Sequence, residues 1–201
     1  MALSGDHNQI KRLTSIAILI SCSLILYLVE AMIPVPLPVP GAKLGLANVV
    51  TLISIVLLRP YDALLVVAVR CLLGSLLSGN LASFWFSIAG STLATIVMSI
   101  AFSRFNSYLS LAGISVLGGV FHNIGQLFVA AIMVQSFGIY FYLPFLIIAG
   151  VISGYLVGLI AQMTLRGLAK AGAWLGPVKI MGPARVEIAG KDPQGARSTG
   201  L

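Results

Sequence analysis

The sequence predicts an all-α, polytopic membrane protein, a bundle of six transmembrane helices, and three observations carry that prediction. Of 201 residues, 59% are hydrophobic and only 8% charged, whereas a soluble domain carries about 25% charged residues. Long apolar stretches follow one another with short polar breaks between them, and runs of roughly 18 or more apolar residues are what a hydrocarbon core about 30 Å thick demands of a helix. The stretches are uniformly apolar and lack the strict alternation of a membrane β-barrel strand.

The third observation is where the cations fall. The net charge of +7 would suggest nucleic acid in a soluble protein, but its distribution points elsewhere. Lys11 and Arg12 precede the first apolar run, Arg59 and Arg104 sit at two breaks, and Arg166, Lys170, Lys179, Arg185, Lys191 and Arg197 follow the last run. If successive helices alternate in direction, all ten face one side, with Lys43 on the other and Arg70 inside a helix. The positive-inside rule then places both chain ends in the cytoplasm and the bundle in the cell membrane. The charge is a topology signal, and no nucleic-acid partner is expected.

The elements follow in order. The first helix spans 13–33; it ends in a proline-rich stretch instead of a small-residue cleavage site, so it reads as a retained helix and not a signal peptide. Pro34 to Gly41, with four prolines, cannot continue a helix, because proline lacks an amide donor and restrains its predecessor; a stiff outer loop is expected. The second helix, 43–58, has 16 residues and a length of about 24 Å, short for a crossing. Arg59-Pro60 and Ser78-Gly79-Asn80 are tight breaks around a third helix at 61–77. A fourth at 81–102, a polar inner turn from Ser103 to Ser107, a fifth at 110–136 and a sixth at 141–165 complete the bundle. Residues 1–12 are then a cytoplasmic N-terminus, 13–165 the membrane domain, and 166–201 a basic, poorly ordered cytoplasmic tail rich in glycine and proline.

Charged groups inside a membrane cost roughly 2.5–3.5 kcal/mol each on insertion scales, so each demands a partner or a purpose. Glu30 ends helix one, Lys43 and Asn48 open helix two, Arg70 lies inside helix three, Asn80 starts helix four, and His122, Asn123 and Gln126 lie in helix five. His122 and Gln126, four apart, share a face, and Gly118 and Gly119 beneath them leave space for a helix or a ligand. These residues predict a polar cavity open to the outside, binding a small, anionic or amide-rich solute. Other roles stand beside this one: an Arg70–Glu30 ion pair, Lys43 snorkelling to headgroups, and interhelical hydrogen bonding by His122, Asn123 and Gln126. Phe84-Trp85-Phe86 reads as an interfacial aromatic belt or a stacking platform. Ala17 and Ser21 on helix one, and Gly150, Gly154 and Gly158 on helix six, form small-residue stripes suited to close helix contact.

The string Pro40-Gly41-Ala42-Lys43-Leu44-Gly45-Leu46-Ala47-Asn48, Arg70 downstream, and His122-Asn123-Ile124-Gly125-Gln126 together resemble the Gx transporter family, also labelled heptaprenyl diphosphate synthase component I. The resemblance covers roughly residues 10–165. That family is in turn similar to the six-helix substrate-binding S components of energy-coupling-factor (ECF) vitamin transporters. The resemblance implies a subunit that captures a solute such as a vitamin or cofactor precursor through Glu30, Lys43, Asn48, Arg70, His122, Asn123 and Gln126. It also implies docking through Ala17 and Ser21 to an ECF-type coupling subunit driven by separate ATPases, although S components classically carry alanine at the second place. The family's other label implies a membrane subunit that assists an isoprenoid- or quinone-pathway enzyme or a redox complex.

Catalysis by this chain alone is not expected. Prenyl diphosphate synthesis needs carboxylate clusters to hold magnesium against diphosphate, and the five acidic residues, Asp6, Glu30, Asp62, Glu187 and Asp192, never fall within one helical turn of one another. No GxxxxGK[ST] phosphate loop occurs. Cys22 and Cys71 stand alone within apolar runs, so neither a metal site nor a cofactor is predicted.

Overall fold

The computed structural model describes residues 3–32, 45–170, 178–181 and 185–188. Six α-helices follow in order: α1 Leu3–Met32, α2 Asn48–Leu57, α3 Pro60–Ser78, α4 Leu81–Phe105, α5 Leu111–Val134 and α6 Leu143–Lys170. A 3₁₀ turn at Phe137–Tyr142 leads into α6. Two short strands, β1 Val178–Met181 and β2 Arg185–Ile188, pair antiparallel within the basic tail, with Lys179 in register with Glu187. The Pro34–Gly41 loop and Lys43 lie outside the described residues.

Among the described residues five helices are long and apolar enough to cross a membrane, and α2 is not. The six-helix bundle expected from the sequence is five long helices and one short one, α2, which is shorter still than the 16 residues read for it. Ten residues give α2 a length of about 15 Å, and every residue from Asn48 to Val56 is buried. The reason for the difference is physical: an apolar run looks the same whether lipid or other helices surround it. α2 is apolar all round because it is the central element, with α1, α3, α4, α5 and α6 packed about it.

Specific contacts fix the direction of each helix. The Arg12 guanidinium, near the start of α1, is ion-paired with Asp62 in the first turn of α3. At the other end of α1, the Glu30 carboxylate accepts the Gly45 and Leu46 amides at 2.5 and 3.0 Å, just before α2. α2 thus runs back along α1, and α3 runs parallel to α1. Gly79 adopts φ +64°, a left-handed turn that costs glycine little, and Asn80 then caps α4 by accepting the Ser83 amide at 3.1 Å. Gly118 of α5 packs on Met98 of α4, while Gly90 of α4 packs on His122 and Gln126, so α4 and α5 are antiparallel.

Glycines weld the last two helices. A Cβ on Gly119 would lie 2.3 Å from the Gly150 carbonyl oxygen, and one on Gly154 would lie 2.7 Å from that of Ser115. The stripe Gly150–Gly154–Gly158 is therefore taken up by α5 inside the bundle, and Gly118 and Gly119 give close approach to Met98 of α4 and to α6. With directions alternating, Lys11, Arg12, Arg59, Arg104, Arg166 and Lys170 gather at one end of the bundle, and Trp85 and the exposed rings of Phe137, Tyr140 and Phe141 lie at the other. Phe86 turns inward to pack with Leu127, Ala130 and Leu146.

Candidate functional site: two polar clusters in an apolar bundle

The first cluster lies between α1, α3 and α4. Gly74 lets the Tyr27 ring lie against α3, since a Cβ there would meet that ring at 2.5 Å. The Tyr27 hydroxyl sits 3.0 Å from the Ser83 Oγ and accepts from the Ser87 Oγ at 3.3 Å. One turn deeper on α4, the Ser91 Oγ accepts from an Arg70 Nη at 2.6 Å. The Arg70 guanidinium carbon also lies 5.8 Å from the centre of the Tyr27 ring, within cation–π range. Arg70 is 2% exposed, no carboxylate stands within ion-pair reach of it among the described residues, and its Nε has no hydrogen-bond partner there. The Arg70–Glu30 pair considered from the sequence does not form; the Glu30 carboxylate caps the entry to α2 instead.

The second cluster lies between α2, α4 and α5. His122 Nε2 and Gln126 Nε2 are 3.0 Å apart, and both side chains press on Gly90, where an added Cβ would meet the Gln126 Cγ at 2.9 Å and the His122 Nδ1 at 3.0 Å. Gly45, at φ +83°, brings the start of α2 against the His122 ring and the Asn48 amide. Asn123 points away from this group, donating to the Leu146 carbonyl of α6 at 2.7 Å; adjacent residues on a helix diverge by about 100°.

Beside the second cluster a narrow polar crevice runs between α2, α5 and α6, lined by Gly45, Asn48, Ser115, Gly119, Ser153, Gly154 and Val157, and it is too tight to admit a water molecule. The Asn48 Oδ1 and the Ser115 Oγ are buried there without a hydrogen-bond partner among the described residues. Such orphaned groups in an interior are uncommon.

A family model described as heptaprenyl diphosphate synthase component I matches residues 19–164. The chain belongs to that family. No curated protein and no solved structure matches it. In this component I family member the matched segment takes in α2, α3, α4 and α5 whole, the second half of α1 and most of α6. Both polar clusters and the crevice are inside it. Both described carboxylates of the membrane domain are committed to structure, Glu30 to α2 and Asp62 to Arg12.

Of the residues singled out from the sequence, Gly45 draws Asn48 and His122 together, and Gln126 joins through His122. Arg70 belongs to the other cluster, Asn123 to the α5–α6 seam, and Lys43 lies outside the described residues. Ala17 and Ser21 are on the outward face of α1, where the Ser21 Oγ donates to the Ala17 carbonyl at 3.0 Å. Sequence reasoning missed Tyr27, Ser23 and the hydroxyl ladder Ser83, Ser87, Ser91 and Thr95. The signal was available: those four residues recur at intervals of four, which stacks them on one face.

Proposed function

We propose that this chain is a non-catalytic membrane subunit that assists an enzyme of isoprenoid diphosphate metabolism. The observation that carries the reading is the match to a family described as component I of such a synthase. The fates of Glu30 and Asp62 support it, since both carboxylates are engaged by other groups and neither is placed to help hold a magnesium diphosphate. The substrate of such an enzyme joins a long hydrocarbon chain to a charged head, and a helix bundle keeps that chain in lipid while the catalytic partner works at the surface. The outward Ala17–Ser21 step of α1 offers a partner helix close approach, and the basic end of the bundle faces the cytoplasm by the positive-inside rule. The test is copurification of the tagged chain, followed by assay of the recovered prenyl transferase with and without it. Recovery of no prenyl transferase, or an unchanged rate and product length, defeats the proposal.

A second reading, solute capture in the manner of an ECF S component, draws support from the crevice and its two unsatisfied polar atoms. Asn48 would line the site, with His122 and Gln126 beside it across Gly45. Against it stands size, because the crevice has no room even for a water molecule, whereas small-molecule sites enclose roughly 300–1,000 Å³. Copurification with a coupling protein and ATPases, together with a vitamin-like ligand in the purified material, would favour this reading over the first.

A further inference from the structure

We infer that Arg70 and Ser23 form a binding site for a phosphoryl oxyanion in the seam between α1, α3 and α4. A guanidinium keeps its charge at every physiological pH, and one buried in a membrane protein demands a counter-charge. Arg70 is 2% exposed and has one neutral hydroxyl and one aromatic face as its partners among the described residues. Neither carries a negative charge. Its Nε–H remains unmatched, and a guanidinium presents its N–H donors in a planar fork that fits two oxygens of one phosphoryl group.

Ser23 is the independent observation. It is 0% exposed, and its Oγ also lacks a hydrogen-bond partner among the described residues. Helices α1 and α3 run parallel, and Tyr27 lies against Gly74. Stepping back one turn on each helix takes Tyr27 to Ser23 and Gly74 to Arg70, so the register brings the two residues to the same level on facing sides. Two buried donors without a hydrogen-bond partner thus share one level of the seam, and none of the described residues supplies an anion to Arg70 there. The hydroxyls of Ser83, Ser87 and Ser91 mark a polar route down α4 toward this level from the end opposite the basic residues, with Tyr27 across it.

The choice of a phosphoryl group over other anions rests on the function proposed above; the need for an anion at Arg70 does not. The same chemistry is presented by a free inorganic ion and by a lipid-linked head, and the two are separable by experiment. The full chain in nanodiscs of neutral phosphatidylcholine is titrated with inorganic diphosphate and, separately, with farnesyl diphosphate, and thermal stability and affinity are read. Binding of at least one probe is expected, weakened tenfold or more in Arg70→Gln and several-fold in Ser23→Ala. Ser23→Ala removes a hydroxyl that makes no hydrogen bond among the described residues, so it is expected to fold even if Arg70→Gln does not. Binding of both probes identifies a site for the head alone, and binding of the farnesyl compound alone identifies a lipid-linked ligand. Failure of both probes to bind the unaltered chain, or equal affinity in Ser23→Ala, overturns the inference. Because no partner enzyme is present, binding here without copurification of a prenyl transferase would keep the site and discard the proposed function.

Discussion

Arg12 and Asp62, fifty residues apart, are joined by two hydrogen bonds that tie the start of α1 to the start of α3. Asp62 is buried, and its Oδ2 also accepts the Arg59 amide at 3.4 Å in the first turn of α3, where a carboxylate favours the helix dipole. Arg12 is about half exposed, at 48% of its side chain. Removing either partner is expected to lower the melting temperature in detergent, with Arg12→Ala leaving a buried carboxylate without its guanidinium. The double variant Arg12→Ala/Asp62→Ala should lose less than the sum of the two single variants. Strict additivity in that cycle would show that the pair does not couple.

Glu30 is the matching tie at the other end of α1. Its carboxylate holds two backbone amides at the entry to α2, and hydrogen bonds to charged groups contribute about 1.5–3 kcal/mol. Glu30→Ala is expected to destabilise the bundle by about that amount, and Glu30→Gln, which keeps one acceptor oxygen, by less. Unfolding in sodium dodecyl sulfate measures both. Equal effects of the two substitutions would mean that the contacts seen at Gly45 and Leu46 are not what matters at this position.

These two ties explain how much was legible in the sequence. The long helices declared themselves through apolar runs, and Arg59-Pro60 and Gly79-Asn80 marked their breaks to within a residue or two, because proline and glycine restrict or free the backbone locally. That the second helix is too short to cross was legible from its length, but its ten-residue extent and its complete burial were not, since Val49, Ile53 and Val56 meet other helices and composition does not tell helix from lipid. The spacing of His122 and Gln126 put them on one face, where they lie 3.0 Å apart. No spacing within one helix reveals what stands opposite, so the partners of Arg70 and Asn123 emerged only when α4 and α6 were in place.

The α5–α6 seam predicts a sharp contrast between two glycines. At Gly119 a methyl group would strike backbone, the Gly150 carbonyl and Gly154, which cannot yield as a side chain does. Gly119→Ala is expected to cost about 1–3 kcal/mol, the range of overpacked cores. At Gly167, near the end of α6, nothing lies within 4 Å of the added atom, and alanine there should stabilise the helix by about 0.5–1 kcal/mol. Both values come from reversible unfolding in mixed micelles, and a neutral Gly119→Ala would mean that the two helices are not this close.

The crevice yields a prediction that separates the two functional readings. The Ser115 Oγ is buried without a hydrogen-bond partner among the described residues, and an unsatisfied polar group costs stability, about 1–3 kcal/mol. Ser115→Ala removes it without widening the space much, so the empty protein should be as stable as before or more so. If the crevice takes no solute, nothing else changes, and prenyl transferase recovery and rate stay as they were. If it is a solute site, the variant must lose ligand affinity while gaining stability, because the hydroxyl's missing partner is then the ligand itself. Unfolding measurements on the ligand-free chain, paired with a binding titration of whatever small molecule copurifies, give opposite answers in the two cases.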